Sequence, residues 1–395
     1  MTMAALIDSR ATRAPAQPLA SGIARVDVLS DFAAAEPAWR ALEASGLSTP
    51  YQRFDFLKPW QRHAAAQDNA APFIVAAMDA EQRPLLLLPL ALRQICGLRI
   101  ACFMGGKHTT FNMALWDRGF AASATAADLD DLLKGLRARD LVDVLALTQQ
   151  PARWGEQANP LALLPHQRSV NDCPVLAMPV GTDPTALVSN SFRRKLKAKE
   201  KKLQALPGYR YRIANTDAEI ARLLDWFFRV KPIRMAEQKL PNVFAEPGVA
   251  AFVREACMTR LASGRRAIEI HALECDEEII ALFAGVADDQ RFSMMFNTYT
   301  LSEHARWSPG LILMRHIIDH HSARGCRGLD LGIGADDYKR MFCKDDEPIF
   351  DSFVPLSGRG QLAASALAAL HRGKHLVKHN PTLFALARRL RGAWH

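Results

Sequence analysis

The sequence predicts an α/β protein of the α+β type, with two tandem domains that each hold a mixed, mostly antiparallel sheet flanked by helices. A chain of 395 residues is too long for one comfortable core and suits two domains. The second half reads as three consecutive strands followed by a helix, a strand, a short helix and a strand, which is typical of an antiparallel meander joined to a parallel crossover. The first half shows the same order of meander, helix and strand, without an obvious sequence repeat.

In the first half, the alternation of apolar and polar residues and the Gly and Pro turns place each element. Strands are expected over 23–29, 72–78, 85–92, 98–104, 112–116 and 142–147. Helices are expected over 32–44, 54–66 and 124–139. The segment 149–171 is rich in Pro, Gln and Asn, so we expect a connection between the domains there.

In the second half, the same criteria predict strands over 175–180, 209–214, 267–273, 279–287, 292–300 and 349–355, and a short strand within 327–334. Helices are expected over 184–206, 217–234 and 247–263, from Pro309 to the stop at Gly325, and around Tyr338-Lys339. The domain boundaries that follow are a disordered leader over 1–21, an N-terminal domain over 22–170, a C-terminal domain over 171–358 and a basic helical tail over 359–395.

The net charge of +9 is concentrated in two segments. Residues 191–202 carry +6 and residues 359–395 carry +7, so the remainder of the chain carries −4. Two local anion-facing surfaces therefore fit the sequence better than general nucleic-acid binding does. A charge run is also, more often than not, a solvated helix.

Composition excludes several other classes. Hydrophobic residues make up 49% of the chain, which is ordinary for a globular protein, and no apolar run reaches the roughly 20 residues that span a bilayer. The first residues lack the basic-then-apolar order of a signal peptide. Seven cysteines without C-x-x-C spacing favour a reducing compartment and argue against a structural zinc site.

The turn Ser308-Pro309-Gly310 opens an apolar helix. Ser is a good N-cap and Pro a good first helical residue, so a well-made helix start is one sufficient interpretation. No Glu or Gln stands three residues after the cap to complete a capping box, which leaves backbone N–H groups and the helix dipole for an anion such as a pyrophosphate. Gly310 would allow such an anion to approach the backbone closely.

Tyr338 and Lys339 follow the strand that holds Asp330. A tyrosine here could protonate a departing thiolate, since its reference pKa of about 10 is near that of a thiol. Lys339 could stabilise an oxyanion or bind a phosphate. The alternatives are a packing role for Tyr338, a solvated Lys339 and an Asp330 that caps a neighbouring turn, and the residues alone favour these.

Histidines recur along the same helix, with His316 and His320 at i and i+4. That spacing can ligate zinc, but H-E-x-x-H is absent and no acidic third ligand is placed nearby in the sequence. We therefore expect no metal and interpret these histidines as a surface or interface face.

Three stretches together resemble a known family: SFRRKLKAKEKKL, NTYTLSEHARWSPGLILM and GLDLGIGADDYKRMF. They resemble the GNAT-type acyltransferases linked to cellulose and exopolysaccharide biosynthesis, the CelD/BcsL-like group, which is similar to the Fem-type peptidyltransferases with two GNAT-like domains. The strong matches cover 191–342. The sequence departs from typical GNAT proteins in lacking the R/Q-x-x-G-x-G/A loop, because Arg306 is followed by WSPGLIL.

The resemblance implies an acyltransferase with two GNAT-like domains, acetyl-CoA or another acyl-CoA as co-substrate, and a sugar or polysaccharide precursor as acceptor. It implies a cytoplasmic protein, with peripheral association at the inner membrane through the basic tail as an option. A Fem-type transfer from aminoacyl-tRNA and a non-catalytic accessory role at an anionic membrane remain open, and nucleic acid other than tRNA is not expected. The implied donor-binding residues are Ser308, Pro309, Gly310 and Tyr299, and the implied catalytic residues are Tyr338, Lys339 and Asp330.

Overall fold

The computed structural model describes residues 22–65, 69–179, 181–334, 337–380 and 382–383. Within these ranges the chain forms two large mixed sheets, each flanked by helices, so the predicted fold class is confirmed. The expected leader over 1–21 and the last part of the tail lie outside the described residues.

The α-helices of the described residues pack their apolar faces into the cores. In chain order they are α1 (Phe32–Ser45), α2 (Phe54–His63), α3 (Arg118–Ser123), α4 (Ala126–Arg137), α5 (Asn190–Leu203), α6 (Asp217–Glu237), α7 (Val249–Met258), α8 (Pro309–Ala323), α9 (Asp337–Phe342) and α10 (Gly358–His379).

The strands follow the predicted meanders with some additions. In chain order they are β1 (Arg25–Leu29), β2 (Ala71–Met78), β3 (Pro84–Ile95), β4 (Leu98–Phe103), β5 (Leu115–Trp116), β6 (Val144–Pro151), β7 (Arg153–Trp154), β8 (Gln157–Ala158), β9 (Gln167–Arg168), β10 (Cys173–Ala177), β11 (Arg210–Ile213), β12 (Glu269–Glu274), β13 (Ile279–Ala287), β14 (Arg291–Tyr299), β15 (Gly328–Asp330), β16 (Asp345–Glu347) and β17 (Ile349–Pro355).

The first sheet has the order β1-β2-β3-β4-β6-β17-β9, with β5 paired to β3, and the second has the order β11-β12-β13-β14-β15-β10-β16. Both contain one parallel pair beside an antiparallel meander. In the first sheet β4 pairs with β6, and in the second β14 pairs with β15. A parallel pair needs a crossover, and α4 and α8 lie in the two crossovers. The two halves thus share one topology around one helix each.

The last strand corrects one expectation. Residues 349–355 form a strand as predicted, but β17 pairs antiparallel with β6 and β9 of the first sheet rather than joining the second. It leaves the second half and completes the first, and α10 then packs on it. Alternation alone could not assign the sheet, because pairing partners are set by long-range contacts.

Two other segments also differ from expectation. The connection expected over 149–171 contains the end of β6, the hairpin of β7 and β8, and β9, so part of it belongs to the first sheet. The helix expected over 184–206 is divided into a 3₁₀ turn at Pro184–Ala186 and α5. The Pro and Gln content of residues 149–171 indicates a loop. A short strand, however, needs few apolar residues of its own when the adjacent strands supply the apolar contacts.

Two apolar cores hold the molecule together. The larger one fills the first half and continues between α6, α7 and one face of the second sheet, through residues such as Phe227, Phe252 and Leu282. The smaller one lies on the opposite face of the second sheet, beneath α5 and α8, and includes Leu196, Ile317 and Phe342. The second sheet is therefore covered on both faces, which explains why every residue of β13 is buried.

Among the described residues, no helix combines enough length with enough apolar character to cross a bilayer.

Candidate active site

The start of α8 is built differently from an ordinary helix start. Ser308 occupies the N-cap position with φ 56° and ψ 51°, in the left-handed region, and Pro309 is the first helical residue as predicted. An N-cap normally has extended dihedrals, which aim its side chain at the helix N–H groups. Ser308 makes no such capping bond; its Oγ instead accepts a hydrogen bond from Lys199 Nζ at 2.7 Å. The expected side-chain cap is therefore absent from this turn.

The backbone of this turn uses only part of its donor capacity internally. Leu311 N–H and Ile312 N–H both donate to Ser308 O, at 3.1 and 3.2 Å, and Pro309 has no N–H. Gly310 is the residue of this turn whose N–H does not donate to the Ser308 carbonyl oxygen. A Cβ built on Gly310 would meet only ordinary contacts, with Phe283 at 3.7 Å and Tyr299 at 3.9 Å. The space above Gly310 is open, and a positive helix end faces it.

A cavity of about 630 Å³ opens at this helix start. All four residues expected to bind the donor line it, and so does Tyr338 of α9. The other walls come from α6 and the turn after it, from β13 and β14, and from α8 and the turn before it, with Lys231, Arg234, Gln238, Leu240, Phe283, Asn297, Thr298, Ala305 and Leu311. Residues that lie far apart in the sequence thus share one concave site, of the size that small-molecule sites usually have.

The cavity exists because the second parallel pair is short. Strand β15 pairs with β14 only from Arg291 to Ser293, and β14 continues six residues further, to Tyr299, without it. The register between β13 and β14 also shifts between Ala284 and Gly285, which is a bulge in the ladder. Where β15 ends, α9 and the start of α8 enclose the space beside the extended part of β14.

Two basic residues of α6 were missed by the sequence analysis. Lys231 and Arg234 stand three residues apart, so a helix places them on one face, and both line the cavity. The guanidinium of Arg234 lies 4.2 Å from the centre of the Tyr299 ring and forms an ion pair with Glu237 at 3.0 Å. Its Nε is buried without a hydrogen-bond partner. A cationic side wall thus faces the helix start, and the i, i+3 spacing of two bases was the available signal.

Tyr338 lies in α9, half-buried, where it lines the cavity and packs against the smaller core. The polar turn before α9 includes residues 335–336, which lie outside the described residues. Tyr338 therefore has the packing position, and it also borders the cavity.

Lys339 and Asp330 lie elsewhere. Lys339 is buried, and its Nζ donates to Gly332 O at 3.1 Å and to Ile333 O at 2.9 Å, so it fastens the glycine turn that follows β15. Asp330 is fully buried and accepts hydrogen bonds from Ser293 Oγ at 2.5 Å and Gly332 N at 3.1 Å. Neither is among the described residues that line the cavity. The structure gives both residues a supporting position and gives Asp330 the turn-capping contact.

Burial raises the pKa of Asp330 to about 6, against the opposing effects of Arg291 and of its hydrogen bonds. A carboxyl with such a pKa is partly protonated near neutral pH. The Ser293 hydroxyl at 2.5 Å suits either state, since a hydroxyl can donate or accept. The charge of Asp330, at the end of the strand before the glycine turn, therefore depends on pH near pH 6.

The basic helix α5 packs against α8 and reaches the cavity entrance. Arg193 is buried and pairs with Asp319 at 2.9 Å, near the end of α8. Glu200 accepts from Arg315 and His316 in the middle of α8. Lys199 contacts Ser308 at its start. Three of the charged residues in this run are therefore structural, which the sequence alone could not separate from the exposed ones.

Residues 190–340 match the family model described as "Acetyltransferase (GNAT) domain". No curated protein matches the chain. Among solved structures, FemX is similar with a TM-score of 0.54 and 8% identity, over 82% of this chain and 96% of that one. A conserved protein of unknown function from Bacteroides thetaiotaomicron has a TM-score of 0.52 and 11% identity, over 84% and 100%. Residues 190–340 are thus similar to a GNAT acetyltransferase domain, and the chain shares the overall fold of FemX.

Proposed function

We propose that this GNAT-type protein is an acyltransferase that moves an acetyl or other acyl group from acyl-CoA to an amine or hydroxyl of a sugar or polysaccharide precursor, in envelope or exopolysaccharide biosynthesis. The observation that carries the proposal is the cavity at the start of α8, which brings Ser308, Pro309, Gly310, Tyr299 and Tyr338 together. The GNAT family match of residues 190–340 supports the reaction class. The sugar acceptor rests on the resemblance of the sequence to the polysaccharide-linked group.

The donor side of the proposal follows from charge. The uncapped end of α8 offers Gly310 N–H and the positive end of the helix dipole, while Lys231 and Arg234 supply cations on the opposite wall. A pyrophosphate needs such a combination of backbone donors and side-chain cations. Ser308 and Pro309 shape the turn, and Tyr299 covers one side of it.

In the reaction, the acceptor nitrogen or oxygen attacks the thioester carbonyl, a tetrahedral intermediate forms, and the carbon–sulfur bond breaks. The leaving thiolate takes a proton, and the acceptor loses its own proton to solvent. Tyr338 is the cavity residue suited to protonate the thiolate, since phenol and thiol have similar proton affinities. Lys339 and Asp330 act through position, by fixing the glycine turn beside it.

Calorimetric titration with acetyl-CoA tests the donor, and turnover with amino-sugar and sugar acceptors tests the chemistry. We expect Tyr338→Phe to bind acetyl-CoA nearly as wild type does and to lose about 10²–10⁴-fold in turnover. Tyr209→Phe, which removes a phenol from outside the cavity, is the matched control and should keep turnover. Absence of acetyl-CoA binding together with unchanged turnover in Tyr338→Phe would overturn the proposal.

A Fem-type transfer from aminoacyl-tRNA is the second candidate, because α5 exposes a basic face beside the cavity. Arg194, Lys195 and Lys197 are exposed on it, whereas Arg193 is buried in its pair with Asp319. Reversing the three exposed charges to Glu should abolish a salt-sensitive tRNA complex if this function holds. Reversing Arg83, Lys134 and Arg168, which lie on the first half, is the control. Binding that is indifferent to both triple changes would remove the tRNA alternative.

The proposal also includes peripheral association with an anionic membrane, and the basic charge and exposed leucines of α10 favour this association. Leu362, Leu370 and Leu376 are 80%, 52% and 63% exposed on this basic helix. Deleting the helix would uncover β17, on which it packs, so point changes are the better test. Converting the three leucines to Gln should weaken sedimentation with anionic vesicles, while Leu163→Gln, at another exposed leucine, should not. Equal sedimentation of both variants would exclude α10 as the anchor.

A further inference from the structure

Three potential metal ligands meet beneath the far end of α8. Glu269 and His271 are two residues apart on β12, so they share a face of the strand, and His321 lies in the last turn of α8. One ligand atom from each lies within 4.8 Å of the other two. His271 and His321 are buried, and Glu269 is nearly so. Sequence spacing could not reveal this group, because the strand and the helix turn are about fifty residues apart.

The two imidazoles are oriented toward the same carboxylate oxygen. His271 Nε2 is 2.9 Å from Glu269 Oε1, and His271 Nδ1 is 2.8 Å from the Tyr211 hydroxyl. His321 Nε2 is also 2.9 Å from Glu269 Oε1, yet it does not satisfy hydrogen-bond geometry and is buried without a partner. His321 Nδ1 faces Cys326 Sγ at 3.7 Å. Both Nε2 atoms thus point inward while an outer group holds each Nδ1, the arrangement of metal-bound histidines.

The charges of the group favour a cation. Glu269 is a nearly buried carboxylate in contact with two imidazoles. Within the described ranges no Lys or Arg forms an ion pair with Glu269. A buried carboxylate that lacks a fixed cationic partner is costly, and a bound dication offsets that cost.

We propose that Glu269, His271 and His321 bind a divalent transition metal of the zinc type. Two imidazoles and one carboxylate are a common zinc set, with bonds of about 2.0–2.2 Å. Tetrahedral ligands at that distance are about 3.3 Å apart, so the two carboxylate–imidazole separations of 2.9 Å need to widen by only a few tenths of an ångström. A water or His320, whose ring lies 5.0 Å from that of His321, completes the coordination.

The site ties α8 to β12 and is separate from the acyl-transfer cavity. His321 lies twelve positions after Pro309 in the helix, which is about 18 Å along the axis. The metal therefore fixes the end of α8 opposite to the end that opens on the cavity. It supports the position of the helix and takes no part in the transfer step.

Full-length protein stripped with a chelator and dialysed against zinc tests the proposal. We expect one zinc per chain, and cobalt in its place should give the visible absorption of a tetrahedral site. Glu269→Gln and His321→Asn, which keep volume and polarity, should lower zinc affinity at least about 100-fold. Tyr211→Phe, which removes only the outer partner of His271, should lower it about 10–100-fold and keep the stoichiometry.

The matched control is His304→Gln, since His304 faces Glu278 at 3.5 Å as a single histidine–carboxylate pair. It should bind zinc as wild type does, and circular dichroism should show every variant folded. Wild-type protein that takes up no more zinc than Glu269→Gln would overturn the proposal and leave a hydrogen-bonded triad without metal. Equal loss of zinc in His304→Gln would overturn it as well, because binding would then be nonspecific.

Discussion

Helices α4 and α8 occupy the same place in the two halves, each in the crossover of the parallel pair, but their first turns are opposites. At α4, Thr125 and Asp128 form a complete capping box, and Asp128 also accepts from Gly22 N at 2.8 Å. At α8, Ser308 is left-handed and makes no capping bond. In the first half a carboxylate of the protein occupies the positive helix end. In the second half no N-cap side chain occupies that end, and for this reason we propose the second half as the donor-binding one.

The two helices are also held by different forces. Helix α4 is stabilised at its own N-terminus, where the capping box satisfies the N–H groups of Thr125 and Asp128. Helix α8 lacks that contribution and is instead held from the side by α5, through Glu200 with Arg315 and through Arg193 with Asp319. A helix start can stay open for a ligand when the middle and the end of the helix are fixed by neighbouring side chains.

The largest expected effect comes from removing that lateral support. Glu200→Gln leaves the buried guanidinium of Arg315 without its carboxylate, which should lower the free energy of unfolding by about 3–5 kcal/mol. Glu303→Gln is the control, since its pair with Arg306 is exposed and should be worth at most about 0.5 kcal/mol. Urea unfolding measures both. Similar small losses in the two variants would mean that α8 does not depend on α5.

The same carboxyl predicts an acid dependence. Burial raises the pKa of Glu200, but His316 and Arg315 outweigh it and bring the pKa to about 2, from its ordinary 4.5. A group whose folded pKa is lowered stabilises the fold fully above its unfolded pKa and loses that stabilisation as the pH falls through the folded one. Its contribution, on the order of 3 kcal/mol, should therefore be present above pH 4.5 and decline toward pH 2.

The measurement is the difference in unfolding free energy between wild type and Glu200→Gln. Other acids with lowered pKa values, such as Asp143 beside Arg99, act in both proteins and cancel in that difference. The gap should narrow as the pH falls below 4.5 toward 2. A gap that is independent of pH would mean that Glu200 is not ionised in the fold.

The contrast between the two helices also shows what a sequence can reveal. Periodicity found both meanders and both crossover helices, because burial on one face is a local pattern. The sequence predicts Ser308 and Tyr338 as site residues, and the structure places both at one cavity. The resemblance of three short stretches supplied the reaction class, which no single motif could.

Other features depend on contacts between distant segments. The transfer of β17 to the first sheet, the side wall of Arg234, and the meeting of Glu269 with His321 each join residues far apart in the chain. The left-handed Ser308 was missed because Ser-Pro-Gly is also the sequence of an ordinary capped start. Its deviation depends on the contact with Lys199 and on the 3₁₀ turn that it ends.

A carboxylate can be placed at the uncapped start of α8 to imitate the capped start of α4. Gly310→Asp fits sterically, because the nearest atoms to a Cβ there are 3.7 Å away. It should leave stability nearly unchanged and weaken acetyl-CoA binding about 30-fold, or about 2 kcal/mol, through repulsion of the phosphates. Gly310→Asn, with the same shape and no charge, is the control for calorimetry. Equal weakening in the two variants would indicate a steric effect and argue against an anion at this turn.

The smallest expected effect comes from opening the closed helix start. Asp128→Ala removes the capping carboxylate of α4 and should lower the free energy of unfolding by about 1 kcal/mol, since one cap is lost and solvent can replace it. Acetyl-CoA affinity and turnover should not change, because the cavity lies at α8. A second, weaker acetyl-CoA site that appears in Asp128→Ala would show that the first half keeps a latent donor site under its cap. A loss of turnover would break the contrast altogether, because the N-terminal half would then take part in the reaction.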